Sequence, residues 1–227
     1  MIPWERLDTA DVPGSGDTLT LHRHGRDYSI RVNGLELMNS RMHGSEESLA
    51  ELACEGLEPV SGVRVLIGGL GMGFTVAAAL KHLGPDSRVV VAEIVPAVVG
   101  WNRGVLSGLA GRPLEDPRVE VRENDVALVM NEARRDYDAI LLDVDNGPDG
   151  LTREGNDALY TAAGLERARR ALRPGGVLAV WSAGPDESFT KRFKKAGFAV
   201  RETRVRARAG NKGGHHTIWL GRVGRNS

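Results

Sequence analysis

The sequence predicts an α/β fold: a mostly parallel, seven-stranded sheet with helices on both faces, closed by an antiparallel hairpin and preceded by a small N-terminal β segment. Three observations carry this prediction. Short apolar runs between Val63 and Trp181 alternate with helix-like stretches, as in right-handed βαβ crossovers. A Gly-rich turn follows the first run, at Gly68–Gly73. Before residue 40 the pattern differs, and two runs alternate with the two-residue period of half-buried antiparallel strands.

The elements follow in order. Residues up to Gly16 read as a turn-rich leader ending in Pro13-Gly14-Ser15-Gly16. Thr18–His24 and Asp27–Val32 place Leu19, Leu21, Tyr28, Ile30 and Val32 at two-residue spacing around a break at Gly25. With Asn33-Gly34 they read as a small antiparallel meander. Ser45–Glu55 reads as a helix with Leu49, Leu52 and Ala53 on one face. Strands are then expected at Val63–Ile67, Arg88–Glu93, Val119–Arg122, Tyr137–Asp143 and Val177–Trp181. The helices between them are expected at Phe74–His82, Val95–Leu106, Ala127–Arg135 and Ala158–Leu172, the last closed by Arg173-Pro174-Gly175-Gly176. A helix over Ser188–Ala196 leads to a hairpin of Ala199–Ala207 and Thr217–Leu220. The expected division is an N-terminal β segment with its linking helix over 1–58, and a nucleotide-binding domain over 59–227.

Composition narrows the function. A chain of 227 residues buries enough surface to need no disulfide or metal staple. Cys54 is the only cysteine, so disulfide frameworks and multi-cysteine metal sites are excluded and no metal is expected. That thiol usage, with no apolar signal core in Met1–Asp11, points to a cytoplasmic setting. Lys+Arg and Asp+Glu are both 30, which makes nucleic acid an unexpected partner. No apolar run approaches the length that crosses a bilayer, so no membrane partner is expected.

Gly69, Gly71 and Gly73 allow a sharp turn, close approach of a ligand to the backbone, and free N–H groups at the next helix. Alone, such a turn can equally serve tight packing. Glu93 ends the second strand, where an acid accepts hydrogen bonds from ribose hydroxyls. Asp125, followed by Val126, stands after the third strand, where a carboxylate can accept from an adenine amine. The glycines form G-x-G-x-G rather than the G-x-G-x-x-G of a dinucleotide site, although NAD binding stays open as a lesser reading. Solvated strand-end acids are the plain alternative.

With Glu93 and Asp125, the Gly loop resembles the adenosine pocket of class I S-adenosylmethionine-dependent transferases and their Rossmann-like methyltransferase fold. The segment Tyr137-Asp138-Ala-Ile-Leu-Leu-Asp143-Val-Asp145-Asn146-Gly147-Pro148 narrows the resemblance to the spermidine synthase (polyamine aminopropyltransferase) family. Leu159-Tyr160-Thr161, the later Leu172-Arg-Pro-Gly-Gly-Val-Leu, and Ser45-Glu46-Glu47 stand in the same order as in that family. The resemblance implies a decarboxylated S-adenosylmethionine donor and a small-molecule amine acceptor. It also implies a homodimer, formed through the N-terminal β segment. Asp143 matches the proton-accepting aspartate, while Asp145, Asn146 and Glu46 fall at the acceptor pocket. Gly69, Gly71, Met72, Gly73, Glu93, Asp125, Val126 and Pro148 fall at the donor pocket. The chemistry needs such acids. An amine is nucleophilic only when neutral, so one carboxylate takes its proton while another holds a distant ammonium. A loop cap remains the plain role for Asp143, and more so for Asp145.

The sequence also departs from that pattern. Gly68–Gly73, with Leu70 inside it, lacks the aspartate of the family's Gly-Gly-Gly-Asp-Gly stretch, which repels an intact methionine carboxylate. Ser45 replaces an aromatic residue, and Asn146 holds the position of a second aspartate. An S-adenosylmethionine-dependent methyltransferase acting on a small molecule is therefore the main rival, and a non-catalytic S-adenosyl- or RNA-binding protein the third reading. Arg201, Arg204, Arg206 and Arg208 motivate the RNA version, with a solvated face as the plainer account. His43 and Cys54 read as structural, Trp101 and Trp181 as core or pocket rim. Neither His22 with His24 nor His215 with His216 makes a convincing metal pair.

Overall fold

A computed structural model describes residues 3–57, 60–144, 158–208 and 212–225. The N-terminal sheet is antiparallel with order β1-β2-β3-β4, formed by Glu5–Asp11, Thr18–His24, Asp27–Val32 and Leu35–Asn39. Helix α1 (Gly44–Cys54) leads into the second sheet. There β5 (Arg64–Gly68), α2 (Phe74–Lys81), β6 (Arg88–Ala92), α3 (Pro96–Arg103), β7 (Val119–Arg122), α4 (Val126–Glu132) and β8 (Tyr137–Leu142) alternate. After these come α5 (Ala162–Ala171), β9 (Leu172–Ser182), α6 (Glu187–Lys195), β10 (Ala199–Arg208) and β11 (Lys212–Arg222).

The seven strands take the order β10-β11-β9-β8-β5-β6-β7. β5 to β9 run parallel, and β11 is antiparallel to both β9 and β10. The predicted α/β class and closing hairpin are thus present. β5 has β6 on one side and β8 on the other, so chain order reverses there, and a crevice opens outside the carboxyl ends of β5, β6 and β8. One buried apolar cluster joins Leu19, Leu21, Ile30 and Val32 of the first sheet to Val65, Ile67 and Val91 of the second. That shared burial holds the N-terminal sheet over the crevice.

Three details differ from the sequence expectation. β1 and β4 were not expected. β1 exposes most of its side chains as an edge strand, and only Leu7 and Ala10 lean on the core, so its alternation is weak. The expected helix over 158–172 restarts at Ala162, because Thr161 caps it by accepting from the Gly164 N–H at 3.1 Å. Arg173–Gly176 lies within β9, where the pairing register shifts between Tyr137 and Ala139. Gly175, at φ +82, allows that irregularity.

Candidate active site

The crevice begins at the Gly turn. Gly69 has φ +87, and a Cβ there would overlap the carbonyl oxygen of Asp143, so only glycine fits beside the end of β8. The Gly69 N–H donates to the Ala92 carbonyl and the Asp143 N–H to the Gly68 carbonyl, each at 2.9 Å, which ties three strand ends into one rim.

Glu93 is buried at the end of β6. Its two carboxylate oxygens accept from the Leu70 and Val95 N–H groups, both at 2.9 Å, which aims the carboxylate along the rim. Each carboxylate oxygen can accept more than one bond. Asp125 caps α4, accepting from the Ala127 N–H at 2.7 Å. Val126 packs its methyls against Gly68. Gly69, Gly71, Glu93, Asp125, Val126 and Asp143 all line one cleft of about 840 Å³, its open mouth included. Leu19, Ile30 and Val32 roof it from the N-terminal sheet. An acid for a ribose, an acid for an adenine edge and apolar walls between them suit a nucleoside.

A second cavity adjoins the first. Leu37, Met38, Gly71 and Asp143 line both, so Asp143 stands at their junction. Glu36, Glu46, Met72, Phe74, Trp181 and His216 line the second. Thr75 Oγ1 donates to Asp143 Oδ2 at 2.5 Å. Burial pushes the Asp143 carboxyl up to about 6, against the lowering effect of Thr75. Burial, then the nearby charge of Asp143, pushes Glu46 up to about 8. Both acids therefore hold their protons more tightly than free carboxyls do. Ser45, fully buried, donates to Glu46 at 2.7 Å and meets His216 Nδ1 at 2.8 Å.

The predicted site residues divide accordingly. Among the described residues, the donor-pocket group is gathered except for Met72, which lines the second cavity, and Gly73, which lines neither. Gly73 has φ +84 and faces Asn102 and Pro113 behind the turn. Asp145, Asn146 and Pro148 lie outside the described residues. His43 stacks on Phe74 at 4.1 Å and lines neither cavity, Trp101 donates to Asp8 at 2.7 Å, and Cys54 is buried. Arg201, Arg204, Arg206 and Arg208 are exposed on the sheet's edge strand, where charge blocks strand addition. The sequence reading missed Glu36, Met38, Thr75 and His216. Thr75 stands two residues after the Gly turn and was within reach of a motif argument. His216 was not, because its partner lies 171 positions away.

The spermine/spermidine synthase domain profile matches residues 42–190. The chain belongs to the spermine/spermidine synthase domain family. Its relatives include polyamine aminopropyltransferase 1 of Streptomyces coelicolor, 31% identical over 188 residues, covering 79% of this chain and 34% of the relative. The polyamine aminopropyltransferase of Prochlorococcus marinus is 34% identical over 124 residues, covering 54% of this chain and 41% of the relative. The chain thus spans about a third to two fifths of these curated relatives. Among solved structures, a spermidine synthase in complex with the transition-state analogue AdoDATO superposes with TM-score 0.75 at 18% identity, covering 96% of this chain and 72% of that one. The spermidine synthase of Thermotoga maritima gives 0.76 at 18%, covering 96% and 73%. These likenesses establish the fold. Among the described residues no helix is long and apolar enough to cross a membrane.

Proposed function

We propose that this chain transfers an aminopropyl group from decarboxylated S-adenosylmethionine to a small amine. The observation that carries the reading is Asp143 at the junction of a nucleoside-shaped cleft and an acid-lined cavity. Family membership and the aminopropyltransferase names of its relatives support it. Glu93 and Asp125 hold the two ends of the adenosine, and the Gly69–Gly71 backbone lets the nucleoside lie close to the rim. The acceptor enters the second cavity as a cation and gives up a proton to Asp143. Its nitrogen then forms a bond to the carbon beside the sulfonium, the C–S bond breaks, and methylthioadenosine departs. Proton acceptance by a positioned carboxylate is worth about 10²- to 10⁴-fold in rate.

Glu36, Glu46 and Asp143 line the acceptor cavity, with no Lys or Arg among its described lining residues. That setting disfavours an intact donor carboxylate, which places methyl transfer second. Calorimetry with methylthioadenosine tests the cleft, and absence of heat at millimolar ligand removes the reading. Competition between intact and decarboxylated donors then separates the two transfers: tighter binding of the intact donor favours methyl transfer.

A further inference from the structure

We propose that Glu46, Ser45 and His216 form a proton relay that carries the acceptor's proton away from Asp143 to a half-exposed imidazole. The substrate side of this proposal rests on the aminopropyl-transfer reading. The relay itself rests on geometry. Glu46 Oε2 and Ser45 Oγ are 2.7 Å apart, and Ser45 Oγ and His216 Nδ1 are 2.8 Å apart. Ser45 is fully buried, so its hydroxyl meets these neighbours rather than solvent. Asp143, Glu46 and His216 are each partly exposed, and all three line the second cavity.

The same heavy atoms support two proton arrangements. With Glu46 ionised, the Ser45 hydroxyl donates to Oε2 and accepts from Nδ1–H of His216. With Glu46 protonated, its O–H donates to Ser45 Oγ, which donates to a bare Nδ1. Switching from the second to the first moves one proton from Glu46 to His216. The Glu46 and Ser45 O–H bonds break, a new Ser45 O–H and an Nδ1–H bond form, and no other bond changes. Glu46 is left as a carboxylate, able to take the next proton from Asp143 across the cavity that both line.

The charged surroundings are compatible with this traffic. Glu46 is faced by Asp143 after β8 and Glu36 from β4, with Glu47 beside it on α1. His216 is faced by Ser45 from α1 and by the Trp181 ring from β9, 4.7 Å away and edge-on. On β10 it pairs with Val205, which Arg204 and Arg206 flank. Burial lowers the proton affinity of His216 while Glu46 holds its proton up to about 8, so transfer to the imidazole is uphill and His216 passes the proton on rather than storing it.

The test begins without substrate. In ¹⁵N-labelled protein, the ring nitrogens of His216 are followed against pH by long-range NMR and assigned with His216→Gln. Coupled titration predicts a two-step curve in the wild type that becomes a single step in Ser45→Ala and in Glu46→Gln. Identical curves in all three proteins overturn the relay. Turnover supplies the second arm. Ser45→Ala and His216→Gln are expected to lower kcat about tenfold and change its pH profile. Methylthioadenosine affinity is expected to stay unchanged. Coupled titration with wild-type kcat and pH profile overturns the relay's part in turnover. If the wild type transfers no aminopropyl group to any amine, the transfer reading fails, and the NMR curves still decide whether the three groups share a proton.

Discussion

Burial pushes the Asp143 carboxyl up while the hydrogen bond from Thr75 lowers it, so two opposing influences set its charge. Replacing it by Asn keeps the size and the Thr75 contact but removes the proton acceptor. We expect Asp143→Asn to lower transfer by about 10²- to 10⁴-fold with methylthioadenosine affinity intact, measured by turnover and calorimetry. Unchanged turnover would assign the proton to another group. Gly69 is a second single-residue test. Gly69→Ala meets both the left-handed φ and the Asp143 carbonyl. The φ alone costs about 1–2 kcal/mol, so a lower Tm is expected together with weakened nucleoside binding. At this scale the sequence was informative where function demands a residue type: a carboxylate at a strand end, a glycine at a turn. It was silent on Glu36 and His216, whose neighbours come from distant elements.

Helix α4 makes the element-scale point. Asp125 is both its N-cap and a lining residue of the nucleoside cleft. The two roles separate by substitution. Asp125→Ala should cost about 1 kcal/mol of stability through the lost cap. Asp125→Asn should keep most of the cap while weakening nucleoside binding, read by denaturant unfolding and calorimetry respectively. Equal nucleoside affinity in the Asn variant would leave Asp125 a cap alone. The sequence announced strands buried on both faces, such as β5 and β8, where apolar residues run together, and half-buried ones such as β2 and β3, where they alternate. β1 and β4 escaped because exposed strands need fewer apolar positions, and their pairing comes from neighbours rather than from their own pattern.

For the whole molecule, the buried acid pair couples folding to pH. Asp143 and Glu46 hold protons more tightly folded, at about 6 and about 8, than at their ordinary values of 3.8 and 4.5. Their contribution is therefore fully present below the ordinary values and is lost as pH rises through about 6 and about 8. Tm should fall across that window, and the Asp143→Asn, Glu46→Gln double variant should flatten the slope. A wild-type Tm that rises there would reverse the assignment. The shared core makes a second whole-molecule prediction. Leu21 is fully buried in the cluster joining both sheets. Leu21→Ala should cost about 2–5 kcal/mol and lower one common unfolding transition, because its cavity opens between the sheets.

The chain's own order of residues determined the α/β class, the place of the Gly turn and the acids that follow successive strands, because each depends on local period or on a residue type at a strand end. Tertiary structure alone decided that the first sheet roofs the cleft, that Asp143 joins two cavities, and that Ser45 meets His216. Those relations depend on which distant surfaces bury one another, and hydrophobic burial chooses its partners by shape and area rather than by spacing along the chain.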